Sequence, residues 1–227
     1  LAQHYYLLFI LSNIVLCSGS IIKNTIIMQY IIGIDEVGRG SLAGPVLVSA
    51  LMLPKKLNLK RKGLPKLKDS KKLTRLGREV WFDYLKNHPK ISYVTARVLP
   101  KTIDRINISR AANRAATRAF EKLITKVLNP KSYILNSKVY LDGGLYLNNF
   151  PKPRTLKPKT LVKGDEKINA IKLASIAAKV TRDRYMVKLH KKYPRYGFQN
   201  HKGYGTKKHM RAIKKYGPSE VHRLTFC

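Results

Sequence analysis

Hydrophobic and polar positions follow a strand-like pattern early in the chain. The runs QYIIGID and PVLVSALML are apolar and rich in β-branched residues, and a glycine loop separates them, so we predict two strands paired as a hairpin. The run ISYVTARVL alternates as a third strand would. Two shorter runs, KVYLD and KTLVKGD, each predict a strand that closes on an aspartate.

Helical periodicity dominates between and after these runs. The segment TRLGREVWFDYLKN predicts a helix capped by Thr74. The alanine-rich segment SRAANRAATRAFEKLITKVL predicts another, with Ser109 as its N-cap and Asn129-Pro130 as its stop.

The C-terminal third is predominantly helical. KINAIKLASIAAKVTRDRYMVKLHKKY predicts one long helix or two, and TKKHMRAIKKYG predicts a shorter one beyond a loop rich in glycine and tyrosine. Strands that alternate with helices indicate the α/β class. We expect a catalytic-type α/β domain over residues 28–185 and a helical C-terminal extension over residues 186–227.

The charge balance points to a polyanionic partner. Lysine and arginine number 46 against 12 acidic residues, which gives a formal net charge of +34. Nucleic acid is the first partner to consider, and an anionic membrane surface is the second. A lysine-rich solvated surface without a partner is the third interpretation. The two cysteines, Cys17 and Cys227, form no disulfide or zinc pattern, which predicts a cytoplasmic protein.

Residues 1–27 differ from the rest of the chain. They are apolar, with one lysine and no acid, yet they lack the basic start of a signal peptide. Met28 stands just before the first strand. We expect residues 1–27 to be upstream read-through, and a leader or membrane anchor is the alternative.

The scarcity of acids makes their positions informative. Asp35, Asp142 and Asp165 each close a short apolar run beside a glycine or a turn. Ligands of open α/β sheets bind beyond the carboxyl ends of strands, so these three residues are candidates for one site. The alternative is that aspartate favours strand-to-turn junctions for its backbone hydrogen bonds.

Glu36 favours the site over the alternative. It follows Asp35 directly, and the glycine-flanked Arg39 comes just after it. Adjacent strand residues face opposite sides, so the two acids share a site only if the strand curls there. Mg²⁺ and Mn²⁺ prefer carboxylate oxygens, and a bound divalent ion would offset the repulsion. Metal-assisted phosphodiester chemistry is therefore the leading interpretation.

Other charged and titratable residues receive structural interpretations. Glu79, Asp83 and Glu121 are predicted surface charges, and Asp104 is predicted to cap a helix start. The histidines of the C-terminal region lack metalloprotease spacing, and we expect them to contact solvent or phosphate; they are His190, His201, His209 and His222.

Seven short motifs now become recognisable together. In chain order they are GIDEVGRGSLAGP, KDSKKLTRLGRE, VYLDG, VKGD, ASIAAKVTRDRYM, YGFQNHKGYGTKKH and GPSEVHRLTF. Each is weak alone, but their order resembles the type 2 ribonuclease H family, ribonuclease HII. The resemblance covers roughly Gln29 to Phe226.

The resemblance implies an α/β fold of the RNase H-like type, with a mixed five-stranded sheet flanked by helices and a helical C-terminal extension. It implies four catalytic and metal-binding carboxylates, namely Asp35, Glu36, Asp142 and Asp165, which hold two Mn²⁺ or Mg²⁺ ions. It implies substrate contacts from Gly38, Arg39, Gly40, Lys71, Lys72 and Tyr204. Asp183 matches a family motif as well, and we expect it to support the ligands.

The implied activity is hydrolysis of the RNA strand in RNA–DNA hybrids and cleavage 5′ to single ribonucleotides in duplex DNA. The products carry 3′-hydroxyl and 5′-phosphate ends, and the cellular role is ribonucleotide removal in DNA replication and repair. A monomer without an obligate protein partner is expected. The alternatives are a non-catalytic basic nucleic-acid-binding protein on the same fold and an RNase HIII-like nuclease.

Overall fold

Five strands form one mixed sheet in the order β3–β2–β1–β4–β5. The computed structural model describes residues 29–127, 137–148 and 157–227. The strands are β1 Tyr30–Val37, β2 Val46–Pro54, β3 Ser92–Val98, β4 Lys138–Asp142 and β5 Lys159–Leu161. The helices are α1 Arg75–Asn87, α2 Pro100–Ile106, α3 Ile108–Val127, α4 Gly164–Lys167, α5 Asn169–Lys192, α6 Phe198–His201 and α7 Lys207–Tyr216.

The pairing of the strands brings three carboxyl ends to one edge of the sheet. Strands β1 and β2 form the predicted antiparallel pair, and β3 pairs antiparallel with β2. Strand β4 runs parallel to β1, and β5 runs parallel to β4. The mixed five-stranded sheet is therefore confirmed, and β1, β4 and β5 end at the same edge.

Helices α3 and α5 pack on opposite faces of the central strand β1. Ile32 and Ile34 are fully buried in the core that the alanine face of α3 completes. Gly33, between them, faces α5, where an added Cβ would overlap the backbone of Ala170. Small residues on both sides allow helix and sheet to approach closely, which fixes the strand that carries Asp35.

The predicted N-cap of α1 is confirmed and that of α3 is wrong. Thr74 Oγ1 accepts a hydrogen bond from the Gly77 amide at 3.0 Å. At α3 it is Asn107 Oδ1 that accepts from the Arg110 amide at 3.0 Å, and Ser109 lies inside the helix. Asn107 adopts a positive φ of 65° between α2 and α3. The predicted stop at Asn129-Pro130 lies outside the described residues.

The C-terminal region continues from the long helix α5. This single helix of 24 residues includes positions 185 and 186, so the predicted domain boundary falls within it. Two 3₁₀ turns, Pro194–Tyr196 and Leu224–Phe226, lie before α6 and after α7. Met186, Tyr196 and Phe198 form a small third core, which gives this region its own packing. The helical C-terminal extension is confirmed.

Asp104 does not cap the start of a helix as predicted. It lies within α2, and its carboxylate accepts hydrogen bonds from the amides of Leu224 at 3.0 Å and Thr225 at 3.1 Å. Its function in the fold is to hold the C-terminal turn against α2.

Among the described residues, no helix has both the length and the hydropathy to cross a membrane. The prediction for residues 1–27 lies outside the described residues.

Candidate active site

Three carboxylates converge at the carboxyl ends of β1 and β4. Asp35, Glu36 and Asp142 each offer an oxygen atom, and these atoms lie within 4.8 Å of one another. Asp142 is the last residue of β4, and β4 is the parallel neighbour of β1. Parallel pairing thus brings together acids that are more than 100 positions apart in the chain.

The strand does not need a break for both neighbouring acids to reach the cluster. Pairing of β1 with β2 continues through Glu36 to Val37, so both acids lie within the paired strand. Asp35 Oδ1 accepts a hydrogen bond from the Glu36 amide at 2.7 Å. Position at the strand end and side-chain length bring both carboxylates into one cluster.

The cluster is electrostatically costly in the absence of a cation. Burial raises the pKa of Asp35 well above its ordinary value, and the neighbouring charges of Glu36 and Asp142 raise it further. Burial also raises the pKa of Glu36, although Arg39 partly opposes the shift. Among the described residues Glu36 Oε2 is buried without a hydrogen-bond partner. The cluster therefore carries excess negative charge, and one of its buried carboxylate oxygens has no hydrogen-bond partner.

Asp165 joins the same cavity from a different element. The sequence predicts it at a strand end, but β5 stops at Leu161, and Lys163 turns into α4 with a positive φ of 54°. Asp165 lies in the first turn of α4 and is buried. Burial and then the charge of Asp142 raise its pKa. It is outside the tight group of three, yet it lines the same cavity.

The start of α4 is tied to β4 through the carboxylate cluster. Asp142 Oδ1 accepts a hydrogen bond from the Gly164 amide at 2.7 Å. Any side chain at Gly164 would press against Ile171 of α5 as well as against this oxygen. Glycine is therefore required for α4 to approach closely enough to bring Asp165 into the cavity.

A cavity of about 240 Å³ lies over these acids. Its walls come from β1, β4, α4, α5 and two loops. They consist of Asp35, Glu36, Val37, Ser70, Lys71, Asp142, Asp165, Ser175, Lys179 and Tyr204. All four predicted carboxylates and two of the six predicted substrate-binding residues therefore line one space.

The glycine-flanked Arg39 lies next to the cluster. Its guanidinium is 3.5 Å from Glu36 Oε1 and donates to Ser109 Oγ at 3.1 Å. Gly38 has a φ of +87°, and an added Cβ would overlap the side chain of Arg182. Gly40 has open space where a Cβ would stand, so a ligand can approach its backbone closely.

Arg182 holds the loop after β1, and the sequence analysis missed it. It is fully buried on α5 and donates to the carbonyls of Ala43, Pro45 and Lys202 and to Ser41 Oγ, at 2.8–3.2 Å. Burial lowers the pKa of its guanidinium. These four hydrogen bonds satisfy three carbonyls and one hydroxyl that would otherwise lack this donor.

Arg223 holds the same loop from the other side and was also missed. It is fully buried and donates to the carbonyls of Gly38, Arg39 and Gly44 at 2.7–3.0 Å. Burial lowers its pKa to about 9. Its partners lie about 180 positions earlier in the chain, so nothing local in the sequence separates it from the other basic residues.

The predicted phosphate-binding lysines lie at the rim. Lys71 Nζ is 3.9 Å from Asp165 Oδ2, and Lys72 Nζ is 3.9 Å from Glu166 Oε1, with both lysine side chains mainly exposed. Burial opposes the charge of Lys71, but the carboxylates of Asp165 and Asp69 outweigh it and raise the pKa. Both lysine side chains therefore reach solvent while each lies within ion-pair distance of one carboxylate.

Tyr204 closes the cavity on the side of the C-terminal region. Lys179 lies 5.5 Å and Arg182 lies 5.3 Å from the centroid of its ring. Lys179 is a cavity residue that the sequence analysis missed, and Asp183 holds its ammonium at 3.0 Å. Asp183 thus acts on the cavity through Lys179 and does not line it.

The expectation of solvent or phosphate contacts is wrong for three of the C-terminal histidines. His201, His209 and His222 are buried together beneath Tyr204. A histidine count alone does not reveal this, because His201 lies in α6, His209 in α7 and His222 in the loop after α7, and only the fold joins them.

The mixed sheet, the strand-end carboxylates and the basic rim define a class of protein, the RNase H-like nucleases. The model of the ribonuclease HII family matches residues 32–227. Ribonuclease HII of Bacillus cytotoxicus is 42% identical over 200 residues, which are 88% of this chain and 69% of that relative. The chain belongs to the ribonuclease HII family and is a ribonuclease H enzyme.

Solved structures agree on the fold. Ribonuclease H2 from Pyrococcus horikoshii OT3 superposes with a TM-score of 0.64 at 27% identity, over 86% of this chain and 93% of that one. Bst-RNase HIII in complex with Mn²⁺ superposes with a TM-score of 0.62 over 88% of this chain and 68% of that one. At 18% identity the second match shows the fold alone. The predicted RNase H-like fold is confirmed.

Proposed function

We propose that this protein cuts duplex DNA on the 5′ side of a single embedded ribonucleotide as well as the RNA strand of RNA–DNA hybrids. The products would carry 3′-hydroxyl and 5′-phosphate ends. The observation that carries the proposal is the cluster of Asp35, Glu36 and Asp142, with the Arg39 guanidinium 3.5 Å from Glu36 and open space at the neighbouring Gly40. A site that places acids and a close-approach loop together suits a sugar-phosphate whose 2′-hydroxyl must be detected.

We propose two Mg²⁺ or Mn²⁺ ions as cofactors, held by Asp35, Glu36, Asp142 and Asp165. The donors are all carboxylate oxygens, which are the ligands that these ions prefer. The buried Glu36 Oε2 has no hydrogen-bond partner among the described residues, which suits a metal ligand because a bound cation would compensate its burial. When bound, such ions activate water for attack on the phosphate and stabilise the leaving oxygen.

The protein's own residues would position the substrate around these carboxylates. Gly38, Arg39 and Gly40 would meet the sugar at the RNA–DNA junction, since Arg39 is held beside both Glu36 and Ser109. Tyr204 would pack against the sugar and base next to the cut. Lys71 and Lys72 would contact the phosphate backbone, as their exposed ammonium groups allow.

The alternatives predict different products. A purely binding protein gains nothing from acids that face a phosphate, so the carboxylate cluster favours catalysis. An RNase HIII-like activity on the same fold would differ in where a single-ribonucleotide duplex is cut.

We further propose that the enzyme is a cytoplasmic monomer without an obligate protein partner and removes ribonucleotides during DNA replication and repair.

The test uses one labelled duplex in three forms, with a ribonucleotide, a deoxynucleotide or a 2′-O-methyl nucleotide at the same position. In Mg²⁺ or Mn²⁺ only the first is expected to be cut, and mass spectrometry should find the break directly 5′ to the ribonucleotide. A cut at another phosphate would contradict the proposed type 2 specificity. Binding of all three duplexes without cleavage would contradict catalysis on this substrate.

A further inference from the structure

Three buried histidines cluster behind Tyr204, which lines the cavity, and take no part in the proposed chemistry. His201, His209 and His222 are 9%, 0% and 2% exposed. The rings of His201 and His209 stack at 4.3 Å between centroids, and the ring of His222 is 5.2 Å from that of His209. A stack of this kind is unusual for residues that only fill space, because every ring nitrogen must find a partner.

The hydrogen bonds determine which nitrogen of His222 carries the proton. The Ser219 amide lies 2.9 Å from His222 Nδ1 and can only donate, so Nδ1 is an acceptor. A neutral His222 therefore carries its proton on Nε2. That nitrogen lies 3.1 Å from His209 Nε2, to which it donates.

The same reasoning extends to Tyr204. Because His209 Nε2 accepts from His222, the proton of a neutral His209 is on Nδ1. His209 Nδ1 lies 3.0 Å from the carbonyl oxygen of Tyr204 and donates to it. A directed chain thus runs from the Ser219 amide through two imidazoles to the Tyr204 carbonyl. We call it the histidine relay.

The third histidine supports the relay without being part of it. His201 Nδ1 accepts from the Gly203 amide at 3.2 Å, and its Nε2 donates to the Tyr196 carbonyl at 2.8 Å. Burial lowers the pKa of all three histidines, and that of His209 falls to about 4. The rings are therefore neutral at pH 7, as the hydrogen bonds require.

The relay acts on a turn whose two glycines leave the backbone free to adopt several conformations. Tyr204 stands between Gly203, with a φ of +82°, and Gly205. Its carbonyl also accepts from the Thr206 amide at 2.8 Å, so His209 supplies the second donor that fixes this peptide plane. The Tyr204 ring projects from the fixed turn into the cavity that Asp35 lines.

We propose that His209 and His222 are positioning residues that set the orientation of Tyr204 against the nucleotide beside the cut. This inference rests on the proposed substrate contact of Tyr204. Through the relay, α7 and the following loop hold the backbone of Tyr204 by hydrogen bonds. The C-terminal region thereby affects how efficiently the enzyme cuts at a ribonucleotide junction.

The test compares two substitutions of one histidine. His209→Asn keeps an amide donor near the position of Nδ1, whereas His209→Phe keeps the ring and loses the donor. We expect His209→Phe to lower kcat/KM on the single-ribonucleotide duplex about tenfold, the cost of one lost hydrogen bond, and His209→Asn to restore most of it. His88→Phe, at the end of α1 and outside the cluster, is the control with no expected change.

A double-mutant cycle separates positioning from general damage. In a Tyr204→Ala background, His209→Phe should cause no further loss, because the ring it positions is gone. Equal losses from His209→Phe and His209→Asn, or losses that add to that of Tyr204→Ala, would overturn the proposal. So would a Tyr204→Ala enzyme with wild-type kcat/KM.

A second measurement does not depend on turnover. The ¹⁵N spectrum of the imidazoles at pH 7 should show His222 protonated on Nε2 and His209 on Nδ1. The reverse tautomers would overturn the relay even in an active enzyme. A wild-type protein that shows the expected tautomers and leaves the duplex uncut would instead contradict the proposed function.

Discussion

At the scale of single residues, the carboxylate cluster destabilises the folded protein unless a cation is bound. Asp35 is buried against two other acids, and one oxygen of Glu36 has no partner among the described residues. The same carboxylates that would bind a cation therefore lower the stability of the protein without one, which is common at binding sites.

Replacing Asp35 with asparagine should stabilise the metal-free protein. The amide keeps the shape and removes one of the repelling charges, so we expect a gain of about 1 kcal/mol, or a rise in Tm of about 2–4 °C. Thermal unfolding in chelator measures this. The increase in Tm on adding Mg²⁺ should shrink in the same variant, and a Tm that falls in chelator would contradict the cost assigned to the cluster.

Some site residues were predictable from the sequence and others were not. Asp35 and Asp142 were found because each ends an apolar run, and the sheet order does bring them together. Asp165 reaches the cavity through a left-handed residue and a four-residue helix, which the apolar pattern does not encode. The strand-end pattern selected Asp165, but the element that carries it is a short helix and not the predicted strand. Lys179 gave no signal, since one lysine among many on a helix is unremarkable.

At the scale of elements, two buried arginines shape the loop after β1. Neither Arg182 nor Arg223 has a carboxylate within ion-pair distance among the described residues. Both guanidinium groups donate hydrogen bonds to loop carbonyls. The guanidinium fork is suited to this because its donors are fixed in one plane. The loop that would read the ribonucleotide is therefore anchored by α5 and by the C-terminal segment.

Arg223→Lys should weaken this anchor although it keeps the charge. Lysine cannot reach three separate carbonyls in the same geometry, and the carbonyls it leaves are buried. We expect the free energy of unfolding to fall by about 3 kcal/mol, measured by urea denaturation. Arg211→Lys, exposed on α7, should change it by less than about 0.5 kcal/mol. Equal effects of the two substitutions would contradict the role given to Arg223.

The histidines of the C-terminal region should make stability depend on pH. Histidines of the unfolded chain bind protons below about pH 6.5, whereas His209, with a pKa of about 4, stays neutral in the folded protein. The unfolded state then binds more protons, so stability falls as the pH falls from 6.5 to 4. The groups facing these rings are other histidines and the cations Lys202 and Lys208, which act in the same direction.

The His209→Phe variant isolates this contribution. Asp35 and Glu36 have raised pKa values and give the opposite slope, but they do so in both proteins. Urea denaturation at several pH values should therefore show a smaller loss of stability on acidification in His209→Phe than in wild type. Identical slopes in the two proteins would contradict a neutral buried His209.

Periodicity predicted the elements better than their ends. The β1–β2 hairpin follows from two apolar runs, and the long α5 is buried on most sides, so its apolar residues mark a helix by their length more than by a one-sided period. The cap of α3 was assigned to Ser109 because serine suits that position, yet Asn107 takes it with a positive φ. The choice between neighbouring cap residues depends on where α2 ends, which is a tertiary feature that local sequence does not carry.

At the scale of the whole molecule, a chain with a formal net charge of +34 carries a small cluster of acids. Long-range attraction would draw a nucleic acid to the surface, and the carboxylates would meet it only through bound cations. The composition predicted the class of partner, whereas the place of contact required the fold.

Duplex affinity should therefore fall steeply with salt. Each neutralised phosphate contributes a slope of about −0.9 in log K against log salt concentration. Lys71→Gln should make the slope shallower by about one such contact. Lys55→Gln is the control. Lys55 donates a hydrogen bond to Gln29 at the start of β1, and Asp35 lies near the other end of that strand. Fluorescence anisotropy titrations at several salt concentrations measure both, and equal slopes would contradict the role of Lys71.

The central claim is that the strand-end carboxylates catalyse metal-dependent cleavage at a ribonucleotide. The most direct measurement is the rate of cleavage of a labelled single-ribonucleotide duplex in Mg²⁺ by wild type, Asp35→Asn and Asp83→Asn, the last an exposed aspartate on α1. We predict cleavage 5′ to the ribonucleotide by wild type and Asp83→Asn, a rate about 10³-fold lower for Asp35→Asn, and none in chelator. Cleavage by Asp35→Asn at the wild-type rate, or undiminished cleavage in chelator, would contradict the account.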